Sequence, residues 1–219
     1  MTTQAAGQKV LVTGFEPFGK ADVNPSALLA QQLDSQRIEG TPVVGVVLPV
    51  SHRRAAQQFS DAVEGFTPTI VISLGLAGGR SKLGIERVGI NVLDYPMPDN
   101  DGEQPTEGQI VSDGPDAYLS TLPVKAIAAA WTETGIPGYV SNTAGTFLCN
   151  EILYTSLHLA TRHGYRAGFI HVPCVPEQAA IGDPTSASMS LDVMARGITR
   201  AIEIAIGQTT RVAALATAL

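Results

Sequence analysis

A thiol, an imidazole and a carboxylate together can perform acyl transfer, and this chain sets one of each apart from the rest of its kind. Cys149 lies in "SNTAGTFLCNEILY" (Ser141–Tyr154), where a small polar loop turns into an amphipathic helical pattern. At the first residue of a helix a thiol feels the positive end of the macrodipole and unpaired N–H groups. These favour thiolate over thiol and are also able to bind an oxyanion. The other account is a small buried core residue, the ordinary role of a free cysteine. Cys174, held by prolines away from any helix start, keeps that ordinary account.

A nucleophilic cysteine needs a base, and the base needs an orienting group. His52, His158 and His163 fall within or at the ends of amphipathic helical patterns, where solvated positions are expected. His171 differs, because it sits between Ile170 and Val172 at the apolar end of a strand pattern. An imidazole there requires a partner, either as a base or as a hydrogen-bonded core histidine. In "ERVGINV" (Glu86–Val92) a period of two puts Glu86 on one face with Val88, Ile90 and Val92. A carboxylate on such a face implies a buried partner, unless it lies at a strand edge open to water. Arg87, on the other face, is expected to point to solvent.

The elements that must position these groups alternate along the chain. Apolar, β-branched runs occur at Lys9–Gly14, Val43–Val50, Thr69–Gly75, Glu86–Val92, Gly138–Asn142 and Ala167–Val172. Several are apolar throughout, as expected of strands covered on both faces. Between them lie helical patterns: "NPSALLAQQL" with Asn24 as N-cap and Pro25 at N1, "HRRAAQQFSDAVEGF", "PVKAIAAAWTETG", "CNEILYTSLHLATRHG" stopped by Gly164, and "MSLDVMARGITRAIEIAIG". Such alternation predicts a largely parallel sheet with helices on both faces, in an α/β protein whose ligands bind beyond the carboxyl ends of the strands. "FEPFG", "GLAGGR", "TAGTFLC" and His171 all follow or end strand patterns. Asp94–Ala117, rich in Pro, Gly and Asp, is too long and polar for a tight connection. It reads as a surface excursion or hairpin near a site, or as a plain decorated loop.

Bulk properties exclude several classes. With 14 Lys and Arg against 20 Asp and Glu the net charge is −6, and no basic cluster offers a face to nucleic acid. No apolar run is long enough to span a bilayer, and the N-terminus lacks a secretory pattern. Two cysteines make no disulfide framework, and no ligand spacing for zinc is present, which fits a reducing cytoplasm. At 219 residues a single domain is expected, residues 1–219, with a tail after about 207 of uncertain order.

The ordered blocks "VLVTGFEPFG…NPS", "GLAGGR…ERVGINV", "PDNDG", "SNTAGTFLCNEILY" and "GFIHVP" resemble the pyroglutamyl peptidase I family, also called pyrrolidone carboxyl peptidases. The resemblance runs from about Lys9 to about Gly207. It implies a three-layer α/β/α sandwich with a mostly parallel, twisted central sheet. It also implies a cytoplasmic cysteine peptidase with a Cys-His-Glu triad, needing no metal or organic cofactor and forming homo-oligomers, dimers or tetramers. Its substrates would be peptides with an N-terminal pyroglutamate. By matching motif the nucleophile is Cys149, the base His171 and the orienting acid Glu86, the trio that the residues themselves single out. Phe15 and Phe18 of "GFEPFG" match the aromatics that sandwich the flat pyroglutamyl ring, and Asn24 of "NPS" matches a structural support. Three features depart from the pattern. The glycine pair ending the first block is Gly19-Lys20 here, and Cys149 and His171 stand only 22 positions apart. Where many members read "DARIPDN" this chain reads "DYPMPDN", so Pro96 replaces an arginine of the oxyanion region and leaves backbone N–H groups near Cys149 as donors. Two rivals remain: a nucleoside phosphorylase-like transferase using "GLAGGR" for phosphate, and a non-catalytic binding protein on the same scaffold.

Overall fold

The computed structural model describes residues 7–19, 21–181 and 185–216, the last eight by backbone alone. In chain order the first half contains β1 (Val10–Phe15), α1 (Pro25–Leu33), β2 (Arg37–Ile38), β3 (Thr41–Leu48), α2 (His52–Phe66), β4 (Ile70–Leu76), β5 (Leu83–Glu86) and β6 (Val88–Ile90). The second half contains β7 (Ala117–Leu119), α3 (Val124–Glu133), β8 (Gly138–Ser141), α4 (Leu148–His163), β9 (Arg166–Val172), α5 (Pro176–Ala180) and α6 (Leu191–Ala216). Lys20 lies outside the described residues. So does the tail, for its side chains from 209 and its backbone from 217.

The helix limits follow from local chemistry. Asn24 accepts the Ser26 N–H at the start of α1, with Pro25 at the first helical position, and Ser51 caps α2 by accepting the Arg54 N–H. Gly164 closes α4 in the left-handed region, with φ of 75°.

Seven strands form one sheet in the order β2-β3-β1-β4-β9-β5-β8. β3, β1, β4 and β9 run parallel, while β5 pairs antiparallel with β9 and parallel with β8. The period of two divides the apolar residues between two layers. Val10, Val12, Ile70, Ile72, Leu83 and Ile85 pack with α1, α3 and α6, whereas Leu11, Val71 and Phe169 pack with α2 and α4. The result is an α/β/α sandwich with a mostly parallel sheet.

Two expectations are corrected. "ERVGINV" is not one strand: β5 ends at Glu86, Arg87 N–H bonds to Ser141 O, and Val88–Ile90 enters a separate two-stranded sheet with β7. The alternation that governs Glu86 therefore runs backwards, with Leu83 and Ile85 on one face and Gly84 and Glu86 on the other. The second correction concerns strand ends. β5 and β8 oppose β9, so Glu86 and the loop leading to Cys149 do not leave the carboxyl edge shared by β1, β4 and β9. The Asp94–Ala117 excursion is a folded hairpin-like segment, bridged at Leu93 and Gly108 and anchored by buried Tyr95 and Asp99.

Candidate active site

The site lies on the face of the sheet covered by α2 and α4, near the carboxyl ends of β4 and β9. His171, on β9, is directly opposite Gly75 of β4 on one side and Gly84 of β5 on the other. Glu86 stands two residues further along β5 on the same face, so its side chain reaches His171 diagonally across the space that Gly84 leaves. The resulting hydrogen bond, Nδ1–H of His171 to Oε1 of Glu86, is 2.8 Å long, and Glu86 is fully buried. With Nδ1 so engaged, Nε2 is the nitrogen left for Cys149, which hydrogen-bonds the same ring. Burial alone would push the imidazole pKa down. The charge of Cys149 and its hydrogen bond, followed by those of Glu86, outweigh burial and hold His171 up at about 9.

Gly75 fixes the sulfur's place. A Cβ there would lie 2.7 Å from Cys149 Sγ and 2.7 Å from Phe169 Cζ. Only a glycine lets the Cys149 sulfur rest against the backbone of β4. The Phe169 ring in turn packs against the His171 ring, centroid to centroid 4.9 Å.

Cys149 is the second residue of α4, not the first. The helix starts from Phe147, which has no capping side chain, and no side-chain cap hydrogen bond is made. The first-turn N–H groups are therefore left free of a side-chain acceptor beside the sulfur, where a developing oxyanion could take them. The neighbouring Thr146 hydroxyl, which could otherwise compete, donates to Asp94 O at 2.5 Å.

Beside the sulfur a narrow cleft of about 40 Å³ is lined by Phe15, Phe18, Asn24, Val50, Phe147 and Leu148 among others. Phe18 and Phe147 face one another with centroids 6.2 Å apart. Asn24 supports this wall through two bonds. Its Oδ1 accepts from Ser26 Oγ at 2.8 Å, and Ser26 Oγ accepts the Phe15 N–H at 3.0 Å. Five residues picked from sequence thus converge: Cys149, His171 and Glu86 in a line, Phe15 and Phe18 in the adjoining cleft. A wider concavity, lined by Gln32, Thr134, Ile136, Asp192, Arg196 and Arg200, lies in the opposite layer and holds none of these groups.

Sequence reasoning missed three contributors. Phe147 was unremarked, although a helix starting without Ser, Thr, Asp or Asn was a visible sign of an uncapped end. Asn150 donates to Ile90 O and Val92 O and accepts the Ile90 N–H, fastening the segment after β5 to the start of α4. Glu151, buried, accepts a short hydrogen bond from the Tyr95 hydroxyl and lies 3.1 Å from His52 Nδ1. His52 is therefore half-buried and partnered rather than simply solvated. Burial, ahead of the opposing bonds from Tyr95 and His52, holds the Glu151 carboxyl above its usual range. Tyr95 then packs edge-on against Phe147 at 4.5 Å. The three consecutive residues Cys149, Asn150 and Glu151 point about 100° apart around α4, so each serves a different neighbour. Pro96 itself is exposed.

Cys174 forms no disulfide. Among the described residues no three His, Cys, Asp or Glu side chains could hold a metal ion, and no helix is long and apolar enough to cross a membrane.

The geometry agrees with what the chain resembles. The family model described as pyroglutamyl peptidase matches residues 8–208. Pyrrolidone-carboxylate peptidases of Coprothermobacter proteolyticus and Klebsiella pneumoniae are 45% and 46% identical, over 90% and 91% of this chain and 96% and 94% of theirs. The solved pyrrolidone carboxyl peptidase from Thermococcus litoralis superposes with a TM-score of 0.90 at 40% identity, covering 93% of this chain and 96% of that one. A mutant of the Pyrococcus furiosus enzyme gives 0.90 at 42%, covering 92% and 99%. The chain belongs to the pyroglutamyl peptidase family.

Proposed function

We propose that this protein removes the N-terminal pyroglutamyl residue from peptides, with Cys149 as nucleophile, His171 as general base and acid, and Glu86 as the group that orients and charges the imidazole. The observation that carries this reading is the hydrogen-bonded line from buried Glu86 through His171 to a cysteine at an uncapped helix start. The sulfur attacks the pyroglutamyl carbonyl, and the first-turn N–H groups of α4 receive the charge that develops on its oxygen. His171 Nε2–H then protonates the departing amine, leaving a thioester on Cys149. Water, deprotonated by the now neutral imidazole, hydrolyses that thioester and restores the ion pair. No step needs a metal or organic cofactor.

Selectivity follows from the cleft. The pyroglutamyl ring is flat and carries no ammonium, which suits the space between Phe15, Phe18 and Phe147. A free N-terminal glutamate would have to strip water from a charged amine there, without an acidic partner among the lining residues. The phosphorylase-like alternative needs "GLAGGR" to hold phosphate, yet Arg80 of that loop is turned toward Glu86, 3.3 Å away. We read residues 1–219 as one domain acting in the cytoplasm as a homo-oligomer, dimer or tetramer. Among the described residues β8 is an edge strand, and exposed Tyr139 on it supports an interface on that side.

The test is hydrolysis of a pyroglutamyl-aminocoumarin amide under reducing conditions. The wild type should turn over, and Cys149→Ala should lose about 10³-fold or more. Equal rates for the two proteins would end the nucleophile assignment. Light scattering during gel filtration tests the oligomer.

A further inference from the structure

Glu86 has more to explain than its bond to His171. The side chain is fully buried, and Oε2 accepts no hydrogen bond among the described residues. Both of its close polar contacts fall on Oε1: Nδ1 of His171 at 2.8 Å and Nη1 of Arg80 at 3.3 Å. A carboxylate removed from water stays ionised only with compensating charge. His171 supplies that charge only while protonated, and it must give up its proton during the reaction. Arg80 is the one partner whose charge is permanent.

A second feature is built around the same guanidinium. Gly84 lies directly opposite His171 on β5, between β9 and the edge strand β8, where a side chain would ordinarily stand. A Cβ at Gly84 would meet Arg80 Nη1 at 3.2 Å. The missing side chain makes the gap through which Glu86 reaches His171 and Arg80 reaches Glu86.

We propose that Arg80 is a positioning residue of the site: seated in the space that Gly84 leaves, it keeps Glu86 ionised and aimed at His171 throughout the reaction cycle. This rests on the assignment of Cys149, His171 and Glu86 made above. Among the described residues the charged and titratable groups around Glu86 are few. They are Arg80 from the loop after β4, His171 from β9 and, beyond it, Cys149 from α4. Tyr139 of β8 faces Gly84, at 3.4 Å from where a Cβ would be. Arg87 is engaged with Asn142 at 2.8 Å, and α3 packs on the opposite face of the sheet with Leu83 and Ile85.

The sign of the effect is the same for both anions. Removing the positive charge leaves the buried Glu86 anion with His171 as its one charged partner among the described residues. It also removes a cation from the neighbourhood of the Cys149 thiolate, so both changes move loss of the reactive ion pair upward. The rate of alkylation of Cys149 by iodoacetamide, followed by mass of the Cys149 peptide, reads this directly and needs no substrate. Its acid limb should rise by about one pH unit in Arg80→Met, a tenfold change in proton affinity. Arg80→Lys, which keeps the charge, should shift less than half as far. Gly84→Ala, which leaves Arg80 present but displaced, should shift in the same direction with the fold retained. Coincident profiles for Arg80→Met and wild type overturn the proposal, as does an Arg80→Lys limb displaced as far as that of Arg80→Met. If Arg80→Met does not fold, an unshifted Gly84→Ala limb overturns it instead. An intact alkylation shift in a protein that does not hydrolyse pyroglutamyl amides supports the role of Arg80 while refuting the proposed substrate. A wild-type Cys149 that titrates as a free thiol refutes both.

Discussion

Replacing Gly75 by alanine adds one methyl group in the most constrained spot of the site. Its Cβ would be 2.7 Å from Cys149 Sγ and 2.7 Å from Phe169 Cζ, while relaxed contacts between such atoms are about 3.5–4.0 Å. Phe169 is fully buried and held against His171, so its ring has nowhere to retreat. The sulfur is the freer neighbour and must move by about 1 Å. A displacement of that size at a reacting atom costs on the order of 10²-fold in rate, about 2.7 kcal/mol of barrier. Overpacking should cost about 1–3 kcal/mol of stability, and each kcal/mol lowers Tm by about 2–4 °C in a domain of this size. The backbone of Gly75 is not in the left-handed region, so the effect is steric rather than conformational. The assay is kcat/KM on the pyroglutamyl-aminocoumarin amide, with thermal melting beside it. Gly65→Ala serves as control, because Gly65 lies in α2 with nothing within 4 Å of an added Cβ and should be neutral or slightly stabilising. A Gly75→Ala enzyme within threefold of wild type, with its fold intact, would refute the idea that close approach to β4 fixes the nucleophile.

Phe18→Ala removes one wall of the cleft and should raise KM by about tenfold, the worth of roughly 1–2 kcal/mol of lost apolar contact, with a smaller change in kcat. An unchanged KM removes Phe18 from the pocket. The pH profile of kcat/KM should fall on the alkaline side near pH 9, because His171, held up from 6.5 to about 9, loses there the proton that the proposed mechanism hands to the leaving amine. The same raised pKa contributes stability that is complete below pH 6.5 and lost as pH rises through about 9, which melting across that window can follow. An alkaline limb centred near neutrality would contradict the ion pair. Glu151, raised mainly by burial, stabilises the fold when protonated and loses that contribution as pH rises through its folded pKa. Glu151→Gln cannot ionise, so its Tm should differ less between pH 5 and pH 8 than that of the wild type. An equal difference would show that another group carries the dependence.

Much of the architecture was legible locally. Asn24-Pro25, Ser51 before α2 and Gly164 after α4 mark helix ends through their own hydrogen-bonding or conformational chemistry, which needs no distant partner. Val10–Phe15, Ile70–Leu76 and Arg166–Val172 are central strands and read as such because both their faces are covered. The misreading of "ERVGINV" came from the same kind of evidence. Alternation continues through Glu86, Val88 and Ile90, but the chain changes sheets at Arg87, and no periodicity records which neighbour a strand chooses. Tyr95 and Glu151 were invisible for a related reason. They are 56 residues apart, and each alone looks like an ordinary surface residue of a loop and a helix.

The sequence by itself determined the residue types and most of the elements, and it singled out His171 between Ile170 and Val172 and Cys149 where a loop becomes a helix, because both are local signatures; Glu86 was picked on an alternation that in fact stops at Arg87. Only the tertiary structure decided how they meet. The reversal of β5 against β9 makes the contact diagonal, Gly84 opens the gap for it, Gly75 lets the sulfur lie on β4, and Arg80 reaches in from the following loop. Strand direction and order are settled by packing between segments far apart in the chain, and that energy is not written in any one of them.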